Sequence, residues 1–78
     1  MTIFSQRVKQ LRQERKLTRA QLAEALGVAE KTVYRWETYV KNVSLTTLIK
    51  LAFFFDVSLE YLTGRSGDKK LPNKRPNS

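Results

Sequence analysis

The sequence predicts an all-α protein, a compact bundle of five helices, and two observations carry that prediction. Apolar residues recur at helical spacing in five separate stretches, and no stretch sustains the period-two alternation of a half-buried strand. Serine, threonine and glycine stand where those stretches begin and end, as capping and stop signals do. Seventy-eight residues allow one domain, near the lower limit for a self-sufficient core.

The first helix is expected from Phe4 to about Arg15, with Phe4, Val8 and Leu11 as its buried stripe. Either Ser5 caps it or it starts nearer Thr2. Lys16 and Leu17 connect it to a second helix opened by Thr18, which forms a capping box with Gln21. Leu22, Ala23 and Leu26 are that helix's inner face, and Ala23 is small where two helices cross closely. Gly27 ends it, since glycine enters the left-handed region freely.

A third helix follows from about Glu30 to Thr38. At ~100° per residue, Glu30, Lys31, Tyr34, Arg35 and Thr38 share an arc of roughly 140°. Ala29, Val33 and Trp36 cluster on the other side, where Trp36 reads as core. Tyr39 to Val43 makes a loop. Ser44 caps a fourth helix, Leu45 to about Phe55, with Leu45, Leu48, Leu51, Ala52 and Phe55 inward. Phe54 flanks that stripe, while Phe53 lies beside Ile49 on the opposite edge. That pair reads as an exposed protein contact, a self-association surface, with partial burial under the tail or Tyr61 as the alternative. Ser58 caps a short last helix, Leu59 to Leu62, ending at Gly64.

Charge narrows the function classes. The chain carries 15 basic and 7 acidic side chains, a formal +8, which favours a polyanionic partner. Residues 1–64 hold ten basic and six acidic side chains, and residues 65–78 hold five and one. The boundary is therefore set at 64, with residues 65–78 a basic, disordered tail that is solvated and free to touch phosphate. Cysteine and histidine are both absent, so no metal site and no cofactor are expected. Without a glycine-rich phosphate loop or a convincing carboxylate pair, the chain does not read as an enzyme. No apolar run approaches the ~20 residues of a membrane span, and no signal peptide is recognisable, so the expected compartment is the cytoplasm.

The stretches RVKQLRQERKLTRAQLAEALGV, KTVYRWE, SLTTLIKLA and VSLEYL, between Arg7 and Leu62, carry a likeness. This span resembles the helix-turn-helix domains of the phage repressor and Cro type, also called the XRE family. The resemblance implies a lambda-repressor-like fold with its helix-turn-helix at the second and third helices. It implies base contacts from Glu30, Lys31, Tyr34 and Arg35. Their chemistry agrees: Lys31 and Arg35 can donate to guanine, and Tyr34 can pack on a thymine methyl or bond a phosphate. Glu30 can accept from cytosine N4, orient Lys31 or repel phosphate.

The resemblance also places a phosphate contact at Arg19, with Thr32, Thr38, Lys41 and Asn42 as further candidates. It makes Arg12 and Glu37 a structural ion pair between the first and third helices. Family members often carry glycine where this chain has Tyr39 and proline where it has Val43, so the loop departs from the pattern. The expected function is sequence-specific binding of double-stranded DNA in transcriptional control, as a repressor. A homodimer on DNA would form through the fourth and fifth helices, at Ile49 and Phe53. The alternative is an antitoxin-like module that binds a protein partner and regulates its own promoter.

Overall fold

Five helices account for the regular structure of residues 2–38, 42–65, 67 and 69, the part of the chain that the computed structural model describes. They are α1 (Ile3–Glu14), α2 (Arg19–Leu26), α3 (Glu30–Thr38), α4 (Leu45–Phe55) and α5 (Leu59–Thr63). The chain divides into two units, Met1–Asn42 and Val43–Ser78. Within the first, α1 and α2 both pack on α3; within the second, α4 packs on α5.

Four helices open in the same way. A hydroxyl just ahead of the helix accepts from the backbone N–H three residues on, one of the donors a helix start leaves unpaired. Thr2 accepts from Ser5 at 3.0 Å, Thr18 from Gln21 at 3.0 Å, Ser44 from Thr47 at 3.2 Å and Ser58 from Tyr61 at 3.0 Å. At Thr18 the capping box is complete, because its own N–H donates back to Gln21 Oε1 at 2.8 Å. Of the two starts considered for α1, the one at Thr2 forms. Ser5 is fully buried inside the first turn.

The same four helices close alike. One residue turns left-handed, its N–H donating three residues back, and the next N–H donates five residues back. The left-handed residues are Lys16 (φ 57°), Gly27 (φ 72°), Asp56 (φ 58°) and Gly64 (φ 84°). The longer bonds run Leu17 to Arg12 at 3.1 Å, Val28 to Ala23 at 3.0 Å, Val57 to Ala52 at 3.0 Å and Arg65 to Glu60 at 2.8 Å. Two of these positions are glycine, where the conformation is unstrained. Aspartate tolerates it better than most residues, whereas lysine has no such excuse. Lys16 is exposed, so glycine there relieves the strain without removing packing. Lys16→Gly is expected to raise stability by about 0.5–1 kcal/mol, read as a higher midpoint in urea with an unchanged slope.

In the first unit the buried apolar residues are Phe4, Val8 and Leu11 of α1, Leu22, Ala23 and Leu26 of α2, and Val33 and Trp36 of α3. Ala29, expected with Val33 and Trp36, is instead exposed. It precedes α3, so the helical angle does not place it. In the second unit Leu51, Ala52 and Phe55 of α4 are buried with Val57, Tyr61 and Leu62. The Phe54 and Phe55 rings meet edge to face at 5.0 Å.

Leu45, expected inward, is 63% exposed. It lies only about 20° around the helix from buried Ala52, so its place in the first turn of α4, and not its angle, leaves it outside the packed part of the stripe. At Lys69, inside the segment expected to be a free tail, the carbonyl accepts from Ser58 N–H at 3.0 Å and the ammonium lies 5.9 Å from the Tyr61 ring centre. Residues 66, 68 and 70–78 of that expected tail lie outside the described residues, as do Tyr39 and Lys41.

Candidate nucleic-acid interface

The side chains expected to face a nucleic acid occupy one exposed face of α3. Glu30, Lys31, Tyr34 and Arg35 are all exposed, while Val33 and Trp36 on the opposite side, and Glu37 at the margin of the face, are buried. Among the described residues, Glu30, Lys31 and Arg35 spend no side-chain hydrogen bond or ion pair inside the protein. Their donors and acceptors are therefore available to a ligand. The helix is aimed by what lies beneath it.

Glu37 has no exposed side-chain surface, and two arginines surround its carboxylate. Arg12 donates through Nε to Glu37 Oε2 at 2.6 Å and through Nη2 to Oε1 at 3.1 Å, the parallel fork that a guanidinium makes with a carboxylate. Its Nη1 donates to the Leu17 carbonyl at 2.7 Å. Arg19, at the start of α2, adds a third charge-assisted bond from Nε to Oε1 at 3.1 Å. One carboxylate thus ties together α1, the turn after it, α2 and α3. Such a group can bond only in a narrow range of helix placements, so its first effect is to select one geometry.

Arg19 is engaged elsewhere as well. Its guanidinium carbon lies 5.2 Å from the centre of the Tyr34 ring, within cation–π range, and Tyr34 is 52% exposed on the outer face of α3. Sequence reasoning assigned Arg19 to phosphate and missed both partners. Neither leaves a trace in spacing, because Arg19 stands 18 positions before Glu37 and reaches it only once α2 and α3 cross.

The remaining candidates divide. Thr32 is half-buried, with its backbone N–H donating to Ala29 O at 3.0 Å. Thr38 donates its one hydroxyl proton to the Tyr34 carbonyl at 2.8 Å, so in this arrangement it offers a phosphate no donor. Asn42 is exposed, and Lys41 lies outside the described residues. On α4, Ile49 is 50% and Phe53 88% exposed, and Leu45 extends them into a stripe at four-residue intervals. Among the described residues no helix is long and apolar enough to cross a membrane, and no acidic cluster is placed to hold a metal ion.

The helix-turn-helix family model matches residues 8–62. The chain is 37% identical over 75 residues to YobD of Bacillus subtilis (strain 168), an uncharacterized HTH-type transcriptional regulator, covering 96% of this chain and 67% of that protein. It is 34% identical over 68 residues to YqaE, a second such regulator of the same strain, covering 86% and 59%. Against RstR of Vibrio cholerae, the cryptic phage CTXphi transcriptional repressor, identity is 33% over 75 residues, covering 92% and 68%. The chain thus spans between 59% and 68% of the length of these relatives. No solved structure matches it.

Proposed function

This chain belongs to the helix-turn-helix family, and from that premise we propose that it binds double-stranded DNA sequence-specifically and represses transcription, with α3 in the major groove. One observation carries the proposal: α3 keeps an exposed hydrogen-bonding face while a buried carboxylate at its margin, shared by two arginines, anchors the helix. Arg35 and Lys31 donate to guanine O6 and N7, Glu30 accepts from cytosine N4, and Tyr34 packs on a thymine methyl. Arg19, Thr32, Lys41 and Asn42 are the phosphate contacts of this reading, with Thr38 after its hydroxyl rotates. No step is catalytic. Occupying a promoter suffices, and the relative named as a phage repressor favours repression over activation.

The stripe Leu45, Ile49 and Phe53 supports a homodimer on DNA through α4. The same stripe favours the second reading, an antitoxin-like module whose partner protein covers α4. Selection from random duplexes separates the readings. A consensus of two inverted half-sites about one helical turn apart is the expected result. Enrichment of no sequence would rule out specific recognition, and a single asymmetric half-site would rule out the dimer.

A further inference from the structure

Tyr34 poses a problem for any reader of base edges. It projects from α3 half exposed, beside Glu30, Lys31 and Arg35, which make no internal side-chain bonds among the described residues. A ring so placed samples more than one rotamer and would meet a base pair with no fixed orientation. Arg19 removes that freedom. Its guanidinium is anchored on one edge, because Nε is bonded to Glu37, which is fully buried and clamped again by Arg12. The ring therefore adapts to the cation.

We infer that Arg19 is a positioning residue for Tyr34: anchored on Glu37, it fixes the ring by cation–π contact and so sets the base preference at the position Tyr34 faces. The inference rests on the DNA-reading role proposed above and adds a residue outside α3 to its specificity. Only Nε of Arg19 is bonded among the described residues. The Nη hydrogens stay available, so Arg19 can bind phosphate at the same time. Loss of overall affinity therefore does not test the inference, whereas a change at one base position does.

At an exposed site a cation–π contact biases the ring by about two- to fivefold. Selection on the full chain is expected to show that Arg19→Gln flattens the preference at one position per half-site by about that factor, the same position that Tyr34→Leu flattens. Preferences set by Lys31 and Arg35 persist. Arg19→Lys keeps a cation beside Glu37 and over the ring, and is expected to restore the preference. The double variant Arg19→Gln, Tyr34→Leu is expected to match Tyr34→Leu alone at that position. A uniform affinity loss with every base preference intact would overturn the inference.

A second readout needs no DNA. The ring current of Tyr34 is expected to shift the Arg19 Nε–H resonance upfield in the folded protein, a shift lost in Tyr34→Leu and kept in Tyr34→Phe. An Arg19 resonance indifferent to Tyr34→Leu would overturn the contact itself. Absence of any consensus for the unsubstituted chain would instead overturn the DNA-reading role, and the specificity claim with it, even with the shift present.

Discussion

Glu37→Ala is expected to lower the unfolding free energy by about 3–5 kcal/mol, the characteristic loss when one partner of a buried ion pair is removed. Two terms combine. The Arg12 guanidinium, 10% exposed, keeps its charge and loses both bonds of its fork. Arg19 loses its anchor as well, though at 35% exposure it can turn to water. Set against the roughly 4–12 kcal/mol that about 0.05–0.15 kcal/mol per residue allows a chain of this size, the loss leaves little margin. Denaturant titration followed by circular dichroism measures it. A loss below about 1 kcal/mol would mean that the arginines find solvent easily and the cluster is peripheral.

The converse substitution sharpens the reading. Replacing Arg12, Arg19 and Glu37 together by apolar residues of similar volume leaves no stranded charge. Buried ion clusters exchanged in this way are often neutral or better. What the cluster supplies is direction, since a carboxylate accepting three N–H bonds from two helices admits few placements of α3.

Arg35→Ala is expected to weaken binding to the preferred duplex by about 5- to 150-fold, the range of one bidentate base contact. Binding to random duplexes should change far less. The test is clean because Arg35 is exposed and makes no side-chain bond among the described residues, so stability should stay within about 0.5 kcal/mol. Titration of both duplexes at one fixed salt concentration decides the matter. Equal losses on the two would assign Arg35 to phosphate.

Helix boundaries were the most legible part of this fold, for a local reason. Thr18 with Gln21, Ser44, Ser58 and Gly27 act on backbone groups within a few positions, so the sequence alone identifies them. Lys16 was not legible as a stop, because lysine is no left-handed former. The turn takes that shape because Leu17 and Lys16 N–H groups close onto α1 carbonyls. Leu45 was misjudged since helical spacing fixes an angle around the axis but not how far along it the packing extends.

The exposed polar face on α3 could be inferred from resemblance and from a wheel. The ligation of Glu37 by Arg19 and the stacking of Arg19 on Tyr34 could not. Both contacts join α2 to α3 and exist only at one crossing of those helices.

The contrast between Tyr34 and its neighbours bears on how such a protein acquires new targets. Glu30, Lys31 and Arg35 make no side-chain hydrogen bond or ion pair among the described residues, so on the proposed reading they are free letters, replaceable one at a time while the frame stays intact. Tyr34 is spelled jointly with Arg19, and Arg19 with the carboxylate that orients the whole helix. A lineage could redirect recognition at the free positions by single substitutions. On the proposed reading, a single change at Tyr34 or Arg19 would only flatten that preference. A new one held as firmly would take paired changes on α2 and α3, so that base position would be the slowest part of the binding site to drift.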